Sequence, residues 1–222
     1  MRLTLFDLDG TLLPIDSDHA FGEFVVRIGW ADAAEHGRRN DAFYRDYQAG
    51  CLDMEAYIEF ATLAWRDRAA EEIARLSERF MTEVIAPALR PQARALVERH
   101  RAVGDLLAIV TATNDFITRP IARALGIDEL IATELERDAA GRVTGRIRGV
   151  PALREGKITR VQSWLAGRGQ RLEDCTELTF YSDSTNDLPL LQLASRPVAT
   201  NPAPALEAIA RERGWPVLKL FE

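Results

Sequence analysis

Two carboxylates two residues apart, at the end of a short apolar run, constrain this chain more than any other feature. The stretch reads Leu3-Thr4-Leu5-Phe6-Asp7-Leu8-Asp9-Gly10-Thr11. Its apolar part has the length of a buried strand, and a glycine closes it. Side chains two apart on a strand share a face, so Asp7 and Asp9 leave the strand end together, and Gly10 lets the chain turn sharply beside them. Adjacent carboxylates repel unless a cation or a proton sits between them. Ligands of open α/β sheets bind beyond the carboxyl ends of the strands. The pair is therefore either a site or an Asp-Gly turn, and the rest of the chain decides.

Downstream, the periodicity divides in two. Residues 17–85 are helical almost throughout: 17–29, 31–47, 54–65 and 69–85, the last with Ile73, Leu76, Phe80 and Val84 at helical spacing. Pro87 and Pro91 punctuate a junction. Beyond it, helices are expected at 92–102, 117–125, 157–165, 187–193 and 203–213. Strands are expected at 105–110, 130–136, 178–181, 197–199 and 217–220, and 142–149 reads as a hairpin with the stretch before it. This alternation predicts the α/β class, with a mostly parallel sheet and helices on both faces. Residues 1–14 and 88–222 form that core, and 15–87 form an all-helical cap subdomain inserted after the first strand.

Composition narrows the function. At 222 residues, 47% hydrophobic and 28% charged, the chain is globular with a sizeable core. A net charge of -6 argues against a general binder of nucleic acid or of anionic membranes. No apolar run matches a membrane span, and the N-terminus turns acidic by Asp7, unlike a signal peptide. Cys51 and Cys175 make no CxxC pair, which points to a reducing compartment, a cytoplasmic location and no structural zinc. His19, His36 and His100 lack ligand spacing, so surface or packing roles are expected of them. Of 28 basic residues only Lys157 and Lys219 are lysine. A position that keeps lysine against that bias suits a compact ammonium.

Three further stretches fall at strand ends or helix starts: Val110-Thr111-Ala112-Thr113-Asn114, Glu155-Gly156-Lys157, and Ser182-Asp183-Ser184-Thr185-Asn186-Asp187. Thr111 also suits a plain β position and Lys157 a solvated helix. The lysine is not part of a P-loop, because Pro151 stands at the first glycine position and no Ser or Thr follows it. Taken together, the groups read as phosphoryl chemistry. Carboxylates from two strands, Asp7 and Asp183, suit Mg²⁺. One acid of the first pair can attack phosphorus while the other moves protons. A hydroxyl and an ammonium hold the phosphoryl oxygens.

The four stretches, in this order, resemble the haloacid dehalogenase-like phosphohydrolases: D-x-D-G-T, a strand ending in Ser or Thr, a Lys, then D-x-x-x-D. The helical insert after the first motif is similar to the cap of the phosphoserine phosphatase-like branch. That resemblance implies a Rossmann-like core and an Mg²⁺-dependent phosphomonoesterase. Asp7 would be the nucleophile that forms an aspartyl-phosphate and a metal ligand. Asp9 would be the general acid/base, ligating metal through its carbonyl. Thr111 and Lys157 would bind the phosphoryl group, and Asp183 would complete the metal ligands, with Asn186 and Asp187 beside it. Gly10, Thr11 and Ala112 would border the substrate phosphate.

Asp16 and Asp18 are either helix N-terminal charges or pocket residues under the cap. Within the resemblance, phosphoserine phosphatases hold the substrate amine with an acid where Asp16 stands. They hold its carboxylate with an arginine after a stretch like Gly50-Cys51-Leu52-Asp53-Met54-Glu55. Here the matching position is Glu59, with Arg66 and Arg68 farther on. Glu59 would repel a carboxylate, so an amino-alcohol phosphate such as histidinol phosphate fits better. The expected partner is a small phosphorylated metabolite, with the chain a monomer or small homo-oligomer. A phosphoaspartate signalling domain without turnover and a phosphotransferase are the rival readings; the length, the insert and Asp9 favour the hydrolase.

Overall fold

The computed structural model describes all 222 residues. Strand β1 (Arg2–Phe6) buries four of its five side chains and lies at the centre of a six-stranded sheet. After it come α1 (Ser17–Arg27), α2 (Ala33–Gln48), α3 (Met54–Leu63), α4 (Ala70–Phe80), a π-helical turn at Met81–Ile85, α5 (Ala86–Ala88) and α6 (Pro91–Ala102). The chain then runs through β2 (Leu106–Asn114), α7 (Asp115–Ala124), β3 (Glu129–Thr133), β4 (Leu135–Arg137), β5 (Val143–Ile147) and α8 (Glu155–Ala166). It ends with β6 (Glu177–Ser182), α9 (Leu188–Leu193), β7 (Arg196–Thr200), α10 (Pro204–Glu212) and β8 (Val217–Leu218).

The large sheet is parallel throughout, in the order β3-β2-β1-β6-β7-β8. The chain leaves β1 towards β2 and β3, then crosses back to β6 on the other side. The ends of β1, β2 and β6 therefore flank the point where strand order reverses, the place at which such sheets form a crevice. Alternation along β1 sends Leu3 and Leu5 to a core built with Val161 and Leu165 of α8, Leu190 and Leu191 of α9, and Leu206 of α10. Phe6 faces the opposite way, into a larger core with α6, α7 and the helices inserted after β1. No helix is long and apolar enough to cross a membrane.

The inserted helices start on aspartates. Asp16, Asp32 and Asp53 each accept a hydrogen bond from a first-turn amide of α1, α2 or α3, which satisfies donors the helix cannot pair itself. The insert's core is aromatic: Phe80 meets Phe21 edge-on at 5.0 Å and Phe24 at 5.5 Å. Trp65 stacks on Phe116 of α7 at 4.2 Å, which fastens the insert to the sheet layer.

Three expectations are corrected. The helix expected at 69–85 becomes α4 followed by a π-turn. There the Ala86 amide reaches back to Met81 O, next to Pro87, which has no N–H to continue the ladder. The strand expected at 130–136 divides at Glu134: β3 joins the parallel sheet, and β4 turns away to pair antiparallel with β5. The strand expected to stop at 110 runs to Asn114, which pairs with Thr133.

Replacing Phe80 with alanine should leave a cavity at the centre of the insert. The expected cost is about 3–5 kcal/mol, read as a fall in the denaturant midpoint.

Candidate active site

The backbone carries the acids to one edge. The Asp7 amide donates to Tyr181 O at 2.9 Å, so β1 and β6 stay paired up to the first acid. Asp183 follows one residue after β6. Gly10 has φ +71°, and a Cβ there would lie 2.2 Å from Asp183 Oδ2, so both conformation and space require glycine. Asn201 Nδ2 donates to Gly10 O at 2.9 Å and fixes this turn. Lys157 extends from the first turn of α8 and is 1% exposed. Its Nζ lies 2.9 Å from Asp7 Oδ1 and 2.7 Å from Asp187. Ser182 Oγ donates to Asp187 at 2.7 Å. On the other flank Thr111 is buried in β2, and its Oγ1 accepts from the Thr113 amide at 3.2 Å. Asp9 is gripped at both oxygens. The Ser17 amide donates to Oδ1 and Thr113 Oγ1 to Oδ2, each at 2.8 Å.

Burial dominates the electrostatics. It pushes Asp7 up to about 7, against the pull of Lys157. It pushes Asp9 to about 7 as well, with the charge of Asp16 adding and the bonds from Ser17 and Thr113 opposing. Asp183 is raised well above the carboxylate range by burial and by Asp7 and Asp187. Burial alone would lower Lys157, but Asp187 and Asp7 outweigh it and the ammonium is raised. The upward pushes on Asp7 and on Lys157 pull the pair in opposite senses. The ammonium's direction is the firmer one, because two carboxylates hold it within hydrogen-bond distance.

Above the acids, beneath α2 and α3, lies a partly open cavity. Asp7, Asp9, Thr111, Ala112 and Thr113 form its floor. Asp16, Asp18, His19, Asn40, Phe43, Tyr44, Tyr47 and Tyr57 are among its walls, and no lysine or arginine lines it. Burial, then the charge of Asp16, raises Asp18 well above its usual range, while a hydrogen bond from Tyr57 opposes.

A family model described as haloacid dehalogenase-like hydrolase matches residues 4–192. The chain belongs to the haloacid dehalogenase-like hydrolases. A histidinol-phosphatase of Neisseria meningitidis serogroup C (strain 8013) is 47% identical over 217 residues, covering 98% of each chain. A solved structure from Bordetella pertussis Tohama I, described as a protein with unknown function, is 52% identical and superposes with a TM-score of 0.93 over 99% of both chains. A substrate-bound phosphoserine phosphatase shares the fold at 19% identity, with a TM-score of 0.68 over 99% of this chain and 93% of that one.

In this haloacid dehalogenase-like hydrolase the donor set fits a hard divalent cation. Asp7 and Asp183 end neighbouring strands, Asp183 feels the charge of Asp7, and Lys157 is the lone ammonium beside them. Two carboxylates leave coordination positions for water and phosphate, as Mg²⁺ prefers.

Several sequence expectations move. Glu59 is exposed on the outer side of α3 and does not line the cavity, because the α3 residues that turn inward are Met54 and Tyr57. Arg66 packs over Gly145 of β5, and Arg68 lies 3.9 Å from the centre of the Trp30 ring, so neither faces the site. Thr11 is fully buried and points to Asp183, 3.5 Å away, rather than towards a substrate. Asn186 reaches across to the inserted helices, donating to Tyr47 O at 2.9 Å. Asp16 and Asp18 do wall the cavity, and so does His19, for which a surface or packing role was expected. Sequence reasoning missed Thr113, Asn201 and the α2 aromatics. Thr113 sits two residues after Thr111, the strand period that already linked Asp7 to Asp9, so that signal was available. Asn201 offered none.

The carboxyl shifts fix a pH dependence. Without a divalent ion, folded Asp9 holds its proton up to about pH 7, against an ordinary value of 3.8. Between those values the folded state binds more protons than the unfolded chain, so its stability falls as pH rises. With EDTA present, the Tm should decline from about pH 4 to about pH 7. Adding Mg²⁺ at pH 7 should raise it, as a differential scanning fluorimetry series would show.

Proposed function

We propose that this hydrolase is an Mg²⁺-dependent phosphomonoesterase of amine-bearing alkyl phosphates that lack a carboxylate, with histidinol phosphate the leading candidate. The observation that carries this is the cavity lining: four aspartates, several aromatic rings and no lysine or arginine. An ammonium group would find Asp16 and Asp18 there, and a flat ring would find Phe43, Tyr44 and Tyr57. A substrate carboxylate would find four like charges and neither lysine nor arginine to pair with, and like-charge juxtaposition costs several kcal/mol. The Neisseria relative's name agrees with that chemistry.

Asp7, at the end of β1, attacks phosphorus and carries the phosphoryl group as an aspartyl-phosphate. Asp9 protonates the departing alkoxide and then takes a proton from the water that releases phosphate. Thr111 donates a hydrogen bond to a phosphoryl oxygen, and Lys157 offsets the charge crowded around it. Asp7, Asp183 and the Asp9 carbonyl would hold Mg²⁺, which would supply charge neutralisation at the phosphoryl group. The helices over the cavity exclude water and select the alcohol.

A panel of phosphate esters assayed with and without Mg²⁺ tests this. The kcat/KM for histidinol phosphate should exceed that for phosphoserine by about 10²-fold or more. Comparable or faster hydrolysis of phosphoserine would overturn the substrate assignment. Asp7→Asn should reduce turnover to background. Asp16→Asn and Asp18→Asn should raise KM for amine-bearing substrates while leaving p-nitrophenyl phosphate hydrolysis nearly unchanged.

A further inference from the structure

The two hydrogen bonds on Asp9 are chemically unequal. Ser17 offers a main-chain N–H to Oδ1. An N–H can only donate, so Oδ1 must accept and cannot carry the acid's proton. That proton belongs on Oδ2. The neighbour of Oδ2 is the Thr113 hydroxyl at 2.8 Å, which can rotate and either donate or accept. It is thus a partner that suits Oδ2 in both protonation states. Thr113 is 6% exposed and sits on β2, far in sequence from Asp9 but in a rigid parallel sheet. Its backbone amide also binds Thr111 Oγ1, so one residue braces two side chains of the site.

We propose that Thr113 is a positioning residue for proton transfer, holding Asp9 Oδ2 at the leaving oxygen and donating to it as its proton departs. This rests on the reading of Asp9 as general acid/base. In the first half-reaction an Asp7 oxygen bonds to phosphorus. The bond from phosphorus to the leaving oxygen breaks with its electron pair on that oxygen, and the proton on Asp9 Oδ2 moves there to give the alcohol. Thr113 then donates to the new carboxylate. In the second half-reaction Asp9 takes a proton from water as the water oxygen attacks phosphorus, and the bond from Asp7 to phosphorus breaks.

The test compares leaving groups. An alkoxide needs a proton to depart and p-nitrophenolate does not, so only the alkyl ester depends on a well-placed acid. Rapid-quench single turnovers measure phosphoryl transfer to the enzyme from histidinol phosphate and from p-nitrophenyl phosphate in Thr113→Val, Thr113→Ser and Asp9→Asn. Thr113→Val keeps the shape and removes the hydroxyl. It should slow transfer from the alkyl ester by about 10- to 100-fold, the worth of one hydrogen bond to a charged group. KM and the rate of p-nitrophenolate release should change by less than about 3-fold. Thr113→Ser should restore the alkyl rate. With Asp9→Asn showing the same leaving-group selectivity, equal slowing of both esters by Thr113→Val, no slowing at all, or no rescue by serine would overturn the role given to Thr113. Asp9→Asn without selectivity would instead refute the acid assignment on which it stands.

Discussion

A single buried ammonium makes this site possible. Asp7, Asp9, Asp183 and Asp187 converge at one sheet edge, and burial pushes the first three towards the neutral form. Lys157 binds two of the four and is itself sealed from solvent. A buried ion pair contributes little net stability compared with apolar packing, but losing one partner leaves an uncompensated charge inside. The lysine is therefore a condition for folding an acidic site. It leaves a residual negative charge that a divalent cation and a phosphate can complete. In a chain that otherwise uses arginine, the choice of lysine follows from geometry: a compact ammonium fits between two carboxylates from different elements, where a planar guanidinium would need more room.

The sheet makes that convergence rigid. Asp7, Thr111 and Asp183 come from the ends of three neighbouring parallel strands, whose backbones are tied by ladder hydrogen bonds along their length. The relative positions of Asp7, Thr111 and Asp183 are thus set by strand register rather than by loops. The pieces that do lie on loops are pinned individually. Gly10 is held by Asn201, and Asp187 by Ser182 and Lys157. Held this way, the donors need little reorganisation as charge builds during reaction.

How much of this was legible depended on the range of the interaction. The acid pair, the alternation of helices and strands and the insert after β1 are local patterns, and local patterns survive in a single sequence. Asp7, Thr111, Lys157 and Asp183 could be placed because each follows a recognisable strand end or helix start. Glu59 was misplaced because an ungapped count through a helix gives a position but not a face: one residue's shift turns a side chain by about 100°. Thr11 was misassigned because a hydroxyl after a turn can point either way, and only the neighbouring Asp183 decides. The aromatic walls of α2 were invisible because Phe43, Tyr44 and Tyr47 have the spacing of an ordinary packed helix face.

The cavity shows how selectivity and catalysis share one set of charges. The chain has 28 basic residues, almost all arginine, yet none lines the space above Asp7. Apart from Lys157, most lie on the outside, several pairing with acids along helices and strand edges, as at Arg79 with Glu83 or Arg196 with Glu177. An arginine in the wall would pair with Asp16 or Asp18 and cancel the field that attracts a cationic substrate. It would also compete with Lys157 for Asp7. Keeping the walls acidic and aromatic concentrates positive charge in the ligand rather than in the protein. An ammonium on the proposed substrate would offset Asp16 and Asp18, and would lower the cost of holding Asp9 as a carboxylate once its proton had gone. On the proposed function, the group that identifies the substrate would thereby also ease the proton transfer that consumes it.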